Sequence, residues 1–418
     1  MNEKQNLRLK RNVGLDYVHT FLSNMNMQSS IWVLYLAYYG LHLAQIGLLE
    51  GIYHATSIVC EIPSGAAADL WGRKRCMILS NLCIVVSCEI MLFSKSFGWF
   101  AVSFAVQALG NNLNSGSEEA LIYDSMKCLG QEEHYMGVYG RLNVLIEVAQ
   151  GLATVAGGVL AEFSYFWCYA ACVVIAVLAL LPVLWMAEPP QCGKAADTAG
   201  ESVKDVPTEG APAQRTIWET VKHHFAASAC ILQKDARIGK IIGFYSVVFA
   251  AHTLLFFYSQ QYFADFGYNK VQISVIMLLV GGASCLGALA SEKMYRRFGK
   301  RCLIPETVII AAAILCYGSG KAGVAAAALM CAGFANAALY PVQSDSLNAL
   351  IPSEQRATLI SVDSMCFSIA MIVLFPLAGA FADRWGLKTV LLLLGAILLL
   401  FLLTVFCIEK ESFSSDHS

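Results

Sequence analysis

Apolar runs of roughly 20 residues, the length a helix needs to cross a bilayer, recur along the whole chain between short polar turns. The pattern predicts twelve helical spans, at approximately 15–40, 44–66, 76–94, 99–123, 142–161, 163–187, 238–264, 271–290, 303–319, 323–345, 357–381 and 388–408. Strands are excluded: the runs are too long and do not alternate, and backbone groups in lipid must bond within their own span. The first run follows Lys4, Arg8, Lys10 and Arg11 as a signal peptide would. It is long, rich in Asn and aromatic residues and lacks an Ala-x-Ala cleavage site, so it is expected to stay in the protein.

One polar stretch, Glu188 to Arg215, has the Pro, Gly, Ala and acidic content of a flexible linker and divides the spans into six plus six. The expected organisation is a six-helix bundle over 1–187, a linker over 188–237 and a second six-helix bundle with a short tail over 238–418. Within the linker, Thr216 to Asp235 sets Ile217, Trp218, Val221 and Phe225 at helical spacing against Lys222, His223 and His224. This predicts an amphipathic helix lying along the inner membrane surface. The Lys and Arg residues gather in the N-terminal tail, at 73–75, in the linker and at 293–301, all on one side of the spans, while Lys95, Lys270, Lys321, Arg384 and Lys388 fall on the other. Both termini are therefore expected in the cytoplasm.

Composition agrees with this reading. The 418 residues are 57% hydrophobic and 14% charged, against about 45–50% and about 25% in a soluble domain. A net charge of -2 leaves no basic footprint for nucleic acid. Most of the 15 Cys sit singly in apolar runs, without metal-ligand spacing, and read as small buried hydrophobes. No metal and no cofactor is expected.

Ionisable groups inside a span are costly and so mark cavities or partners. Glu50, His54, Ser57, Glu61 and Ser64 follow steps of three and four and form one stripe down helix 2. Helix 4 carries Gln107, Asn111, Asn114 and Glu118 on one face, and Asn112, Glu119 and Tyr123 on another. Helix 5 offers Asn143, Glu147, Gln150 and Thr154, and helix 1 offers Asp16, His19, Ser23, Asn26 and Ser30. Four polar stripes in the first half are what an aqueous cavity requires. The second half instead offers aromatic and mostly uncharged groups: Tyr245, His252, Phe256 and Tyr258 in helix 7, Asn336 and Tyr340 in helix 10, and Asp363 among Ser residues in helix 11. A carboxyl in the membrane is disposed to take up a proton, because burial disfavours its charged form. The coupling candidates are Glu61 first, then Glu118, Glu147 and Glu119. The cavity candidates are Asn26, His54, Asn111, Asn114, Tyr123, Gln150, Tyr245, His252, Phe256, Asn336, Tyr340 and Asp363.

The two halves resemble each other weakly: helix 2 leads into GAAADLWGRKRCMIL, and helix 8 into GALASEKMYRRFGKRCLI. Repeated six-helix units with a connecting linker are the architecture of alternating-access transporters. Gly65, Asp69, Gly72, Arg73 and Lys74 stand at the spacing G-x-x-x-D-x-x-G-R-K between helices 2 and 3. This resembles the loop signature of the major facilitator superfamily. The extended form, EIPSGAAADLWGRK, together with SGSEEALIYDS, is similar to a bacterial branch containing many drug and metabolite exporters. The resemblance implies an all-α integral membrane fold of twelve helices in two six-helix bundles. It also implies that these five loop residues form a conformational latch rather than a substrate site. In physical terms, Gly65 permits close helix approach, Asp69 accepts hydrogen bonds from a helix N-terminus, and Arg73 pairs with a carboxylate. A similar stretch, Gly379 to Lys388, lies between helices 11 and 12 and is expected to be a plain turn. The chain lacks the helix 4 Arg and the helix 5 Gly-Pro of many drug antiporters.

No Walker loop is visible, so transport is expected to be secondary. The leading expectation is proton-coupled export of neutral or cationic amphipathic small molecules, because no Lys or Arg lies well inside a span. The alternative is a small-metabolite importer, working as a symporter or a uniporter. A membrane enzyme or sensor is a remote third, since no acyltransferase His/Asp pair and no G-x-S-x-G is present. The protein is expected to be a monomer in the plasma membrane with a small-molecule substrate and H⁺ as its partners.

Overall fold

The computed structural model describes residues 3–190, 236–299, 303–350 and 356–415. The amphipathic helix expected at 216–235 lies outside these residues, and so does the side chain of Asp69. Among the described residues all repetitive structure is helical. In chain order the α-helices are α1 (Glu3–Ser23), α2 (Trp32–Tyr38), α3 (Leu43–Trp71), α4 (Arg73–Phe93), α5 (Phe97–Asn114), α6 (Ser117–Cys128), α7 (Tyr135–Phe163) and α8 (Tyr165–Trp185). They continue with α9 (Ala236–Asp265), α10 (Lys270–Phe298), α11 (Leu303–Cys316), α12 (Ala322–Leu350), α13 (Arg356–Trp385) and α14 (Leu387–Ser415). Eight of them, α4, α7, α8, α9, α10, α12, α13 and α14, contain stretches long and apolar enough to cross a membrane. The chain is therefore a multi-pass helical membrane protein.

The structure departs from the twelve continuous spans in two places. The first span begins near Glu3 rather than residue 15 and is interrupted between Ser23 and Trp32, giving α1 and α2. The fourth is interrupted at Ser115 and Gly116, giving α5 and α6.

The described chain forms two compact units. Unit 1 takes the described parts of Met1–Gln28, Thr56–Ala153 and Phe166–Ala226. Its apolar centre is Met77, Leu121, Ile122, Met126, Val138, Val183 and Met186. Small residues bring α4 and α5 together: Ser87 Oγ donates to Ser103 O at 3.1 Å and Ser103 Oγ to Ser87 O at 2.9 Å. An added Cβ on Gly110 would lie 3.0 Å from Cys83 Cβ. Asn12 in α1 is fully buried and ties three segments together. Its Nδ2 donates to Ser125 Oγ and to Ala187 O, both at 2.8 Å, and its Oδ1 accepts from Ala187 N at 2.9 Å.

Unit 2 contains the second-half helices together with Ser29–Ala55 and Thr154–Tyr165 from the first half. Two glycine-acid pairs of the same spacing fasten those first-half segments. Near the end of α7, Gly158 packs against Ser274, and Glu162 Oε2 accepts from Lys270 N, the first residue of α10, at 2.9 Å. Near the end of α13, Gly379 packs against Leu43 and Ala44, and the Asp383 carboxylate accepts from Leu43 N and Ala44 N, each at 2.9 Å. In both cases a glycine one turn before the acid lets the helices approach, and the acid satisfies amides at the next helix's N-terminus, where negative charge is favoured. Gly47 completes the packing, because an added Cβ would lie 2.5 Å from Phe375 O. The segment 379–388 does turn, at Gly386 with φ 83°. It is more than the plain turn expected, since Asp383 caps α3.

Overpacking such a contact costs about 1–3 kcal/mol. Gly379→Leu is expected to lower the unfolding temperature in detergent and to raise the reactivity of a cysteine placed at Leu43 toward a maleimide. Gly281→Leu, where an added Cβ meets open space, is expected to change neither. Asn12→Ala is expected to cost about 1–3 kcal/mol, because it leaves Ala187 N and O without their partner; unfolding in denaturant checks this.

Candidate functional site

The run Asn24-Met25-Asn26-Met27-Gln28-Ser29-Ser30 explains why span 1 stops. Short polar side chains compete with the helix for backbone partners. Asn24 N and Asn24 Nδ2 both donate to Thr20 O, at 3.2 and 2.9 Å, and Ser23 Oγ reaches the same carbonyl at 3.3 Å. The groups this frees are taken up by side chains. Cys168 Sγ lies 3.7 Å from Met27 O. In unit 2, Gln260 donates to Ser29 O at 3.0 Å and accepts from Val33 N at 3.2 Å. Span 4 breaks where Gly116 takes φ 73°, a left-handed conformation open to glycine. Glu118 and Glu119 then occupy the first turn of α6.

In unit 1 the two interruptions border one cavity of about 270 Å³. Amide side chains of Asn24, Asn26, Gln28, Asn81, Gln107, Asn111 and Asn114 line it, together with His19, Ser23 and Glu118, and among the described residues no Lys or Arg does. Glu118 is held in place: Thr20 Oγ1 donates to its Oε1 at 2.9 Å, and Asn114 Nδ2 to its Oε2 at 2.7 Å. His19 Nδ1 lies 2.9 Å from Ala179 O, while its Nε2 is buried without a partner.

Of the four coupling candidates, only Glu118 lines this cavity. Glu61 sits on α3, half-buried. Glu119 accepts from Tyr139 OH at 3.5 Å, and Glu147 lies on α7. Among the cavity candidates, Asn26, Asn111 and Asn114 line it. Gln150 reaches Asn24 Oδ1 at 3.3 Å, whereas Tyr123 is 41% exposed and packs edge-on against Tyr135. The remaining candidates belong to unit 2. There His54 lies 3.2 Å from Ser368 Oγ and 3.7 Å from Glu50. Tyr245 stacks on Phe249, which also meets Tyr340, and Phe256 packs against Phe257. Asp363 accepts from Gln343 at 3.0 Å, and His252 Nε2 and Asn336 Oδ1 are buried without partners. The helix 2 stripe is shared between the units, and Ser57 pairs with Asn112 in unit 1.

At the loop signature, Arg73 donates to Asp124 and, at 2.6 Å, to Ala120 O. The Glu188 carboxylate accepts from Arg73 N and Lys74 N, each at 2.8 Å, and so caps α4. Gly72 has φ 92°, and an added Cβ there would meet that carboxylate at 3.0 Å. Gly65 corrects one expectation: a Cβ there meets open space, so it allows no close approach in this structure. Asp16, counted in the helix 1 stripe but not singled out as a candidate, is buried on α1. It is 1% exposed, and neither of its carboxylate oxygens has a hydrogen-bond donor.

The protein is similar along most of its length to known transporters. The uncharacterized MFS-type transporter YxaM of Bacillus subtilis (strain 168) is 20% identical over 379 residues, which is 90% of each chain. A crystal structure of a variant of the nucleoside transporter NupG superposes with a TM-score of 0.74 at 13% identity, covering 96% of this chain and 99% of that one. The D-xylose–proton symporter gives a TM-score of 0.66 at 14% identity, covering 96% and 97%. At such identities these two structures share the fold. The family model of the Major Facilitator Superfamily matches residues 18–330 and 307–416, so the chain belongs to that superfamily of transporters.

Proposed function

We propose that this chain is a secondary transporter working by alternating access, with its two halves, 1–187 and 238–418, rocking about a central pathway. Its work is proton-coupled export of neutral or cationic amphipathic small organic molecules across the plasma membrane, by a monomer with both termini in the cytoplasm and twelve spans. The observation that carries this reading is the unit 1 cavity, which among the described residues presents one carboxyl group, many amides and His19, and no Lys or Arg. Such a lining repels an anion and suits a solute that is uncharged or positive. Within unit 2, the aromatic contacts around Tyr245, Phe249 and Tyr340 are apolar surface of the kind an amphipathic solute would use. Gly72, Arg73 and Lys74, with Asp69 and Gly65, act as the latch, and the pairing of Arg73 with Asp124 supports that role. Unit 2's packing of first-half segments against α10 and α13 supports a gate that is shut at that end.

A second reading, import of a polar solute, is favoured by the density of amides, since amides recognise hydroxyl-rich molecules by paired donors and acceptors. A nucleoside transporter and a xylose–proton symporter are among the proteins of the same fold.

The test is substrate-driven proton movement in proteoliposomes carrying a pH-sensitive dye, with lipophilic cations, neutral drugs, nucleosides and sugars added in turn. Glu118→Gln is expected to cut the signal about tenfold or more, a loss of about 1.4 kcal/mol or greater. An undiminished signal in Glu118→Gln together with its loss in Glu61→Gln would move the coupling site to α3. Arg73→Ala is expected to lower the turnover rate with little change in the substrate concentration at half-maximal rate, because a latch acts on the conformational step; initial-rate kinetics check this.

A further inference from the structure

Along α4 the residues Arg75, Leu79, Leu82, Val86, Glu89 and Phe93 follow steps of four and three and are all exposed, so they form one stripe down the helix. The other side of α4 is occupied: Met77, Ser80, Ser87 and Met91 are buried there, and Ser80, Ile84 and Cys88 line the unit 1 cavity. Since α4 is long and apolar enough to span a membrane, the exposed stripe is its face toward lipid. Arg75 stands at the start of the helix, within reach of water. Glu89 does not, for it lies four residues, about 6 Å, short of the far end. A carboxylate on a lipid face is costly unless a positive charge meets it there.

The surroundings of Glu89 show what could meet it. With Ile90, Phe93, Ser94, Lys95 and Trp99 it borders an open groove of about 520 Å³ where α4 turns into α5. Lys95 is exposed as well, and among the described residues neither Glu89 nor Lys95 enters an ion pair. The groove therefore holds two opposite charges that do not neutralise each other. Beside Lys95, α5 begins at Phe97 with no side-chain bond from its N-cap Ser96, and an added Cβ on Gly98 meets open space. Uncapped amides in a first helical turn favour an anion. Phe93 and Trp99, 73% and 59% exposed at the ends of their helices, are the ring types that settle at a membrane interface.

A ligand that completes this groove brings a cation to Glu89, an anion to Lys95 and the α5 amides, and an apolar portion to Phe93 and Trp99. A phospholipid with an ammonium head group has those three parts and is present at that depth. The carboxylate selects among such lipids, because a nitrogen that carries hydrogens gives it charge-assisted hydrogen bonds and a trimethylated nitrogen gives none. We propose that the groove between the end of α4 and the start of α5 is a binding site for one phosphatidylethanolamine molecule, in the leaflet away from the Arg73 loop. Its ammonium sits on Glu89, and its phosphate on Lys95 and the first turn of α5. The site lies on the side of α4 opposite the unit 1 cavity and requires only that the chain span a membrane, whatever solute it carries.

The experiment is native mass spectrometry of the purified full-length protein in detergent, titrated with phosphatidylethanolamine, phosphatidylcholine and phosphatidylglycerol of the same acyl chains. Wild type is expected to bind its first phosphatidylethanolamine about tenfold more tightly than either of the others, as one hydrogen bond to a charged group allows. Glu89→Gln is expected to abolish that preference and to strengthen binding of phosphatidylglycerol, whose anionic head group the carboxylate no longer repels. Lys95→Ala is expected to weaken all three lipids. Glu292→Gln, which alters an exposed carboxyl group on α10, is expected to match wild type. Circular dichroism shows that each variant keeps its helices. Equal binding of the three lipids by wild type, or an undiminished preference in Glu89→Gln, overturns the proposal. Tighter binding of phosphatidylcholine or of phosphatidylglycerol by wild type overturns the ammonium contact, and unchanged binding in Lys95→Ala overturns the phosphate contact.

Discussion

A helix inside a bilayer must satisfy its own backbone, and the most informative places in this protein are the two where it does not. Spans 1 and 4 each stop part-way, and every consequence that matters for function follows from how the freed groups are used. Thr20 O collects the donors of Ser23 and Asn24, while Gln260 serves both sides of the gap between Ser29 and Val33. The interruption is thus held by specific side chains. It also places amide groups, rather than packed apolar residues, beside Glu118.

The same economy governs unit 2. First-half segments are held there by backbone approach at glycine and by acids placed over helix N-termini, at Glu162 and again at Asp383. Such contacts are close and few, and each depends on one small residue and one carboxylate. Hydrocarbon offers no hydrophobic drive to hold helices together, so packing distance and satisfied polar ends carry the association. An arrangement of that kind is strong when complete and is released when one partner is withdrawn, which suits a protein whose work is to change conformation.

Burial sorts the ionisable groups. Arg73 and Asp124 are half-exposed and neutralise one another, which fits a switchable contact at the end of the spans. Glu118 is held instead by neutral donors, Thr20 and Asn114, in a cavity that no Lys or Arg among the described residues lines.

The sequence by itself determined that the chain is helical and multi-pass, because run length and composition are additive properties of the residues and need no knowledge of neighbours. Family membership was legible in the same way, since Gly65 to Lys74 is a contiguous motif. The carboxylate partner of Arg73 was anticipated in kind, while the packing role given to Gly65 was not borne out. Tertiary structure alone decided where the helices stop. Asn24 to Ser30 and Asn114 to Ser117 carry the composition of a break, yet each lies within an otherwise apolar run, and only partners distant in sequence, such as Gln260, make the break stable. It also decided what holds Glu118. Thr20 and Glu118 are 98 residues apart, so neither period nor spacing reveals their contact, and the stripe that made Glu61 prominent is a property of one helix. The bond from Thr20 to Glu118 is a property of two helices packed together.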